Sequence, residues 1–529
     1  MKTASGTLKK RIVTGMREIF LSVFLLFILS SPVFSQTSAD LFKTHALFGD
    51  NMVLQRDRKV PVWGTAAPGE NIVVKINGQE KTAKSDDKGN WLVWMNPSKA
   101  GGPYVMTISD GKKNIEFKNV MYGDVWICSG QSNMAMTVSR CKDLEKEKAE
   151  ANYPAIRSIT IPRVSSGAPD KNMKSSPWLV CSPETVSGFG GAAYFFARDL
   201  YKELKIPMGI INSSIGGTPA EAWTAVEVLE ADPEFAPILE RFKSAVAAYP
   251  ENKKKYDAEM EKRKQLSPEE QKKLRRLSHP MNVGDYRAPC GLYNAMIYPL
   301  LPYAIKGAIW YQGESNAGRA YQYRKLLPAM ISDWRKKWGQ GDFPFLIVQL
   351  ASYMKPQDTP ADNSWAELRE AQTMTLKLPE TAQALAIDIG DASDIHPKNK
   401  QDVGYRLSLA ALKKAYGKDI VYSGPSYKSM TVEGDKIRVK FDNIGGGLIS
   451  KNGELKRFSI AGEDKKFVWA NAKIDGDTVV VWNDNVKKPI AARYAWEANP
   501  EGCNLYNKEA LPAVPFRTDD WPGVTRQAK

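Results

Sequence analysis

Histidine is scarce in this chain, and its positions narrow the search for a general base. Only three occur among 529 residues, namely His45, His279 and His396. Histidine is the usual neutral-pH base because its unperturbed pKa lies near 6.5. His396 follows Asp394 by two residues in the segment DIGDASDIHP, which suits a base oriented by a carboxylate. An isolated Asp-x-His is more often a solvated loop, so the pair alone does not indicate catalysis.

A serine that could act as the nucleophile lies in the segment DVWICSGQSNM. Ser132 follows Gly130 and Gln131 at the end of an apolar run. A glycine-containing turn from a strand into a helix exposes a serine hydroxyl and directs backbone amides at the reacting centre. Gly-x-Ser is a common pattern, and the alternative is a serine that caps the next helix.

Two further apolar runs end in loops of similar character, INSSIGGT and WYQGESN. Glycines let backbone N–H groups approach an oxyanion, and an asparagine side chain offers a second donor. Each loop read singly is a turn. Four such loops, which together contain Ser, Gly, Asn and His, favour a site for acyl transfer.

The elements that must position these loops are continuous apolar runs in the middle of the chain. They are interleaved with helical patterns, in which apolar residues recur at Phe196 and Leu200 and at Tyr323 and Leu327. Such runs are typical of buried parallel strands in an α/β fold, where reactive residues lie at the carboxyl ends of the strands. The predicted strands are Asp124–Cys128, Met208–Asn212, Ala304–Trp310, Phe345–Gln349 and Ala384–Asp388.

Short β-patterned runs separated by turn signals flank this region on both sides. The first set, between residues 45 and 120, includes Ile72–Ile76 and the turn Asn77-Gly78. The second includes Ile437–Phe441 and Thr478–Trp482. This spacing predicts a β-sandwich-like module at each end. Residues 251–276 hold 16 charged side chains of mixed sign, which predicts an exposed helical insertion rather than an arm that binds polyanions.

The first residues of the chain resemble an export signal. A basic stretch precedes an 11-residue apolar run at 19–29 and a small-residue exit at Ser35. The run is short of the roughly 20 residues that span a bilayer, so a permanent anchor is the weaker alternative. Met16 could be the initiator. We predict cleavage after Ser35 and a secreted or periplasmic protein.

Charge and cysteine content exclude several classes of protein. The formal net charge is +15, but no stripe of Lys and Arg interleaved with aromatic residues accompanies it, which argues against nucleic acid as a partner. The five cysteines are scattered without CxxC spacing. A zinc site or a disulfide framework is therefore not expected, although the sequence is compatible with one or two disulfide bonds.

The four loops resemble blocks I, II, III and V of the SGNH hydrolases, and specifically the sialate O-acetylesterase family. The strings that carry the resemblance are GQSNM, IGGTPAEAW, WYQGESNA and DIHPKNKQDVG. It implies a flavodoxin-like parallel sheet core between two β-sandwich-like modules. The implied domains are a signal peptide (1–35), an N-terminal β domain (36–120), a hydrolase domain (121–425) with a charged helical insertion at about 226–280, and a C-terminal β module (426–529).

The same resemblance implies roles for individual residues. Ser132 would be the nucleophile, His396 the base, and the oxyanion donors would be Ser132 N–H, Gly217 N–H and the Asn316 side chain. Gly217 is preferred to Gly216 because its distance in sequence from Asn212 fits block II, although the two glycines differ by only one position. Asp394 is the first choice for the acid that orients His396, and Glu314 is its rival. The remaining predicted contacts with substrate are those of Gln131, Gln312 and Glu314.

The implied reaction is deacetylation through an acetyl-serine, which requires no metal or organic cofactor. An O-acetylated sialic acid is the expected substrate, and acetylated xylan or another plant glycan is the alternative. A non-catalytic glycan-binding protein with a vestigial core is the alternative of another class. The sequence does not fix the oligomeric state.

Overall fold

The computed structural model describes residues 41–171, 173–274 and 277–528. The predicted export signal and its cleavage site after Ser35 lie outside these residues. The strands are β1 (Lys43–Thr44), β2 (Val53–Gln55), β3 (Val60–Thr65), β4 (Asn71–Ile76), β5 (Gln79–Lys84), β6 (Asn90–Met95), β7 (Gly101–Ser109), β8 (Asn114–Gly130), β9 (Tyr153–Thr160), β10 (Leu179–Cys181), β11 (Met208–Ser214), β12 (Gly307–Tyr311), β13 (Phe345–Val348), β14 (Thr381–Ala384), β15 (Ser426–Glu433), β16 (Lys436–Asp442), β17 (Leu448–Ser450), β18 (Phe458–Gly462), β19 (Phe467–Trp469), β20 (Asn471–Asp475), β21 (Thr478–Trp482), β22 (Pro489–Tyr494), β23 (Leu505–Asn507) and β24 (Phe516–Arg517).

The α-helices are fewer and lie mostly between β8 and β15. They are α1 (Ser132–Ala135), α2 (Leu144–Ala149), α3 (Gly191–Leu204), α4 (Val226–Ala231), α5 (Ala236–Ala247), α6 (Tyr249–Lys264), α7 (Pro268–Lys273), α8 (Ala320–Trp338), α9 (Ser364–Met374) and α10 (Lys400–Lys414). Short 3-10 segments at Ala220–Trp223 and Glu314–Arg319 follow β11 and β12.

The largest sheet mixes parallel and antiparallel strands. Its main path runs β10-β9-β11-β8-β12-β13-β14, and every neighbouring pair from β9 to β14 is parallel. The mixed α/β architecture with additional β modules confirms the predicted fold class at this level. Because β11, β8 and β12 are adjacent and parallel, the loops that follow them emerge side by side at one edge of the sheet.

Both faces of the central sheet are covered by helices. Along β8, Val125 and Ile127 join one core cluster while Trp126 and Cys128 join another, as the alternation of side chains across a strand requires. Helix α8 packs on the first face, and α3 and α10 pack on the second. Burial on both faces explains why these strands read as continuous apolar runs.

The last strand of the central sheet differs from the prediction. The run Ala384–Asp388 was expected to be the strand, but β14 covers Thr381–Ala384 and pairs with β13. After Ala384 the chain leaves the sheet, because Ile387 packs into the core of the C-terminal module and Asp388 forms an ion pair with Arg406. The segment is apolar because it joins two cores.

Strand β8 is continuous from the N-terminal module into the central sheet. Its first half pairs antiparallel with β7, whereas Asp124–Gly130 pairs in parallel with β11. The boundary predicted at residue 120 therefore falls inside one strand. The turn at Asn77-Gly78 is confirmed: both residues have positive φ, at 48° and 71°, as a tight hairpin between β4 and β5 requires.

The C-terminal module contains one two-stranded and two four-stranded sheets around its own apolar core. The predicted strands at Ile437–Phe441 and Thr478–Trp482 are confirmed as β16 and β21. In the charged insertion, α6 and α7 have no buried residues. Across the described ranges, no helix is long and apolar enough to cross a membrane.

Candidate active site

The segment that carries Ser132 is held tightly against the neighbouring strand. Gly130 has φ of +133°, and a Cβ at this position would lie 2.2 Å from the Tyr311 carbonyl oxygen. Gln131 N–H donates to that same oxygen at 2.9 Å. Only glycine fits this close approach. Ser132 then begins α1 with its side chain partly exposed, and its hydroxyl forms no hydrogen bond to the described residues.

The loop after β11 reaches the same place. A Cβ at Gly216 would lie 3.2 Å from Ser132 Cβ and 3.9 Å from Ser132 N. Gly217 has φ of +74° with open space around its Cβ position, a conformation that favours glycine. The structure therefore brings Gly216 against the predicted nucleophile, and Gly217 is the next residue of the same loop.

His396 is held by the carboxylate that precedes it. Asp394 Oδ1 lies 3.2 Å from His396 Nδ1 and accepts the backbone N–H of His396 at 2.9 Å. If Nδ1 carries the proton, Nε2 is left as an acceptor, and it forms no hydrogen bond to the described residues. The His396 side chain is 25% exposed. This arrangement agrees with the choice of Asp394 as the orienting acid.

Asn133 ties the histidine loop to the serine helix. Its Nδ2 donates to the Ile395 carbonyl at 3.0 Å, and its Oδ1 accepts Lys400 Nζ at 2.7 Å. Lys400 Nζ also donates to the Pro397 carbonyl at 2.7 Å. The residue after the serine therefore contacts the residue before the histidine, which brings two loops that are over 260 residues apart in sequence into contact.

Glu314, the rival acid, makes a different contact. Its Oε1 accepts Asn133 Nδ2 at 2.7 Å, while its Oε2 is buried without a partner among the described residues. Burial raises the pKa of this carboxyl, and the Asn133 hydrogen bond opposes the rise. No hydrogen bond joins Glu314 to His396 within the described residues, so Glu314 supports the serine segment rather than the imidazole.

The Asn316 side chain is buried in a polar network. Its Oδ1 accepts Ala220 N–H at 2.8 Å and Gln312 Nε2 at 2.7 Å, and its Nδ2 donates to Glu221 Oε2 at 2.8 Å. One N–H of the amide therefore stays available for an oxyanion. Gln312 is fully buried and also bonds Thr218 and Tyr323, so its predicted contact with substrate would cost one of these bonds.

Gln131, the other predicted substrate contact, is also buried. Its Oε1 accepts Ser315 N–H at 3.2 Å and Gly313 N–H at 3.5 Å. These bonds connect the loop after β8 to the loop after β12. The Gln131 side chain thus helps to fix the position of Ser132 relative to the loop that carries Asn316.

The other two histidines lie elsewhere. His45 packs against Trp63 in the N-terminal module with the two rings tilted by 30°, and burial lowers its pKa to about 4. His279 is in the insertion, beside Tyr249 and Tyr256. All five cysteines are free thiols. In the described part of the chain, no group of three or more His, Cys, Asp or Glu side chains is arranged to hold a metal ion.

Three residues of this site were missed at the level of sequence, namely Asn133, Glu221 and Lys400. Each lies within a string that carries the family resemblance. The signal that could have found Lys400 is its place on the apolar face of a helix, four residues before Gly404, where an unpaired lysine would not be tolerated.

Lys400 should act as a positioning residue. We expect Lys400→Met to lower kcat by about 10- to 100-fold with a smaller change in the Michaelis constant, because Asn133 and the Pro397 carbonyl both lose their common donor and the two loops separate slightly. Steady-state kinetics checks this. Lys398→Met removes an exposed charge from the same loop and should remain near wild type; equal losses in both variants would contradict the assignment.

The pH dependence of stability gives a second test of Lys400. Burial lowers its pKa from 10.5 to about 8. Between these two values the unfolded chain binds a proton that the folded chain does not, so the contribution of Lys400 to the free energy of unfolding should rise with pH over this window. Burial raises the pKa of all five cysteines, which acts in the opposite direction but equally in both proteins. Denaturant unfolding from pH 7.5 to 10.5 should therefore show the Lys400 contribution as a difference between wild type and Lys400→Met that grows in favour of the wild type as pH rises.

Comparisons with known proteins agree on one group of enzymes. A family model described as a carbohydrate esterase, sialic acid-specific acetylesterase, matches residues 286–413, a span that contains Asn316 and His396. The sialate O-acetylesterase of Mus musculus is 31% identical over 530 residues, covering 90% of this chain and 95% of the mouse protein. The human sialate O-acetylesterase is 29% identical over 532 residues, covering 91% of this chain and 94% of that protein.

A solved structure extends the likeness to three dimensions. A carbohydrate acetylesterase from Xanthomonas citri has 37% sequence identity and a TM-score of 0.79. The match covers 90% of this chain and 100% of the bacterial enzyme. It therefore includes both β modules as well as the central sheet.

Proposed function

This chain belongs to the sialate O-acetylesterase family of carbohydrate esterases, and we propose that it removes O-acetyl groups from sialic acids through an acetyl-serine intermediate. The central sheet is proposed to be an SGNH-hydrolase core. The observation that carries the proposal is the contact of Asn133 with Ile395, which places the loop of Ser132 against the loop that holds His396 with Asp394.

The proposed first step is attack of Ser132 Oγ on the acetyl carbonyl carbon. His396 Nε2 takes the hydroxyl proton as the new C–O bond forms. The bond from the carbonyl carbon to the sugar oxygen then breaks, and the imidazolium returns the proton to that oxygen. Asp394 holds the imidazole in the required tautomer and stabilises its charged form.

Deacylation repeats the sequence with water. His396 Nε2 takes a proton from water, which attacks the acetyl-serine carbonyl, and Ser132 Oγ leaves with the proton as acetate is released. In both steps the negative carbonyl oxygen is proposed to accept Ser132 N–H, Gly217 N–H and the free N–H of Asn316 Nδ2. The close approach of Gly216 to Ser132 supports this placement of the loop.

A panel of acetylated glycans tests the proposed substrate. O-acetylated N-acetylneuraminic acids should release acetate with a higher kcat/KM than acetylated xylo-oligosaccharides, measured by acetate release under the same conditions. A preference for the xylo-oligosaccharides would indicate that the substrate is a plant glycan rather than a sialic acid. Binding of glycans without release of acetate from any member of the panel, or from an aryl acetate, would indicate a binding protein instead.

We also propose that residues 1–35 are removed on export, which would place the enzyme in the periplasm or outside the cell with its acetylated glycan. The basic stretch, the apolar run and the exit at Ser35 support this. Amino-terminal sequencing of native material should find Gln36 or a close neighbour first. Intact Met1 or Met16 forms recovered from the cytoplasm would contradict it.

A further inference from the structure

Two arginines close to Asn316 have guanidinium groups that are incompletely satisfied. Arg319 Nε and Arg241 Nη1 are each buried with no hydrogen-bond partner among the described residues. A buried guanidinium N–H without a partner is costly, because it has lost its hydration without replacement. Such a group is explained when a bound ligand supplies the acceptor.

Glu221 connects both arginines to the predicted oxyanion residue. Its Oε1 lies 3.0 Å from Arg319 Nη2 and 4.0 Å from Arg241 Nη2, and its Oε2 accepts Asn316 Nδ2 at 2.8 Å. Arg319 ends the short segment after β12, and Arg241 lies on α5 in the insertion. The pair therefore lies one side chain away from Asn316.

The local charge favours an anion. Two guanidinium groups meet one carboxylate, which leaves one positive charge in excess. Burial and the neighbouring charge of Arg319 lower the pKa of Arg241, so the two cations repel each other in the free protein. The side chains are still 37% and 25% exposed, for Arg241 and Arg319 respectively, so a ligand can reach them from solvent.

We propose that Arg241 and Arg319 bind the carboxylate of the sialic acid substrate. This inference rests on the proposed function and adds a reason for selectivity. Planar guanidinium groups match a carboxylate with paired, charge-assisted hydrogen bonds. Neutral acetylated sugars have no group for this site. The insertion, through Arg241 on α5, then takes part in choosing the substrate.

The test compares a sugar that carries a carboxylate with a sugar of nearly the same shape that carries a neutral carboxamide. One is an O-acetylated methyl glycoside of N-acetylneuraminic acid, and the other is its carboxamide. We expect the wild type to favour the carboxylate by about 10- to 100-fold in kcat/KM, the range for charge-assisted hydrogen bonds, mainly through the Michaelis constant. Arg241→Gln should reduce this ratio to near 1. Lys243→Gln removes an exposed charge from the same helix and should keep the wild-type ratio.

A second measurement needs no variant and so does not depend on folding of Arg241→Gln. N-acetylneuraminic acid should inhibit wild-type hydrolysis of an aryl acetate about tenfold more strongly than its carboxamide. A wild-type ratio near 1, equal inhibition by the two sugars, or a ratio retained in Arg241→Gln would overturn the arginine site. Release of acetate from both sugars at equal rates would leave the esterase function standing, whereas release from neither sugar would remove both proposals.

Discussion

Ser132→Ala will lower kcat by roughly three or more orders of magnitude while the fold remains intact. The reason is chemical: alanine has no oxygen to form the acetyl ester, so the two-step route is lost and only weak direct attack by water remains. Steady-state hydrolysis of an aryl acetate and of an O-acetylated sialic acid should show the same loss, because both substrates use the same nucleophile.

The structure also predicts that this variant is stable. The Ser132 hydroxyl has no hydrogen bond to the described residues and is partly exposed, so its removal leaves no buried group unsatisfied. The thermal midpoint should therefore match the wild type. Ser315→Ala is the matched control: Ser315 is a partly exposed serine in the neighbouring loop, and its replacement should leave the rate near wild type. Near wild-type turnover in Ser132→Ala would remove Ser132 from the mechanism.

Asp394→Asn is expected to produce the second large loss, about 10²- to 10⁴-fold in kcat. Asp394 Oδ1 contacts both the backbone N–H and Nδ1 of His396, so an Asn side chain either keeps both contacts through its oxygen or turns its NH2 group towards Nδ1. In the first orientation the turn is retained, but the imidazolium loses the negative charge that stabilises it. In the second orientation the tautomer in which Nε2 carries the proton, and cannot act as a base, is also favoured.

Glu314→Gln is the comparison variant, because Glu314 is the other carboxyl that was considered for orienting His396. A glutamine oxygen can still accept Asn133 Nδ2 in place of Glu314 Oε1. Burial already raises the pKa of Glu314, so an uncharged side chain suits this position. The effect on kcat should be about tenfold or less. A reversed ranking of the two variants, measured at one pH with the same substrate, would assign the orienting role to Glu314.

The parts of the fold that the sequence predicted well are those with a clear period or a turn signal. The runs at Met208–Asn212 and Phe345–Gln349 are strands because both faces of their sheet are covered, and the hairpin at Asn77-Gly78 follows from residues that accept positive φ. The strand before His396 was predicted at the wrong residues, because an apolar run does not show which of two cores it enters. Ile387 belongs to the C-terminal module.

In the candidate site, too, local motifs could be predicted from the sequence, whereas contacts between distant segments could not. Ser132, His396 and Asn316 could be proposed because their motifs are local, and Asp394 was preferred as the orienting acid because it is close to His396 in sequence and lies in the family string DIHP. The contacts between the loops could not be read from the sequence, since Asn133 and Lys400 are 267 positions apart. The approach of Arg241 to Glu221 could not be read from the sequence either, because nothing in a charged insertion distinguishes one arginine beside a buried carboxylate from its solvated neighbours.

Whether Ser132 is the nucleophile is tested directly by labelling the purified wild-type protein with a serine-directed phosphonate and locating the adduct by peptide mass spectrometry. We expect one adduct, on Ser132, formed as esterase activity is lost, and no adduct at that rate in Ser132→Ala. An adduct on another residue that accompanies the loss of activity, or full activity with Ser132 modified, would contradict it.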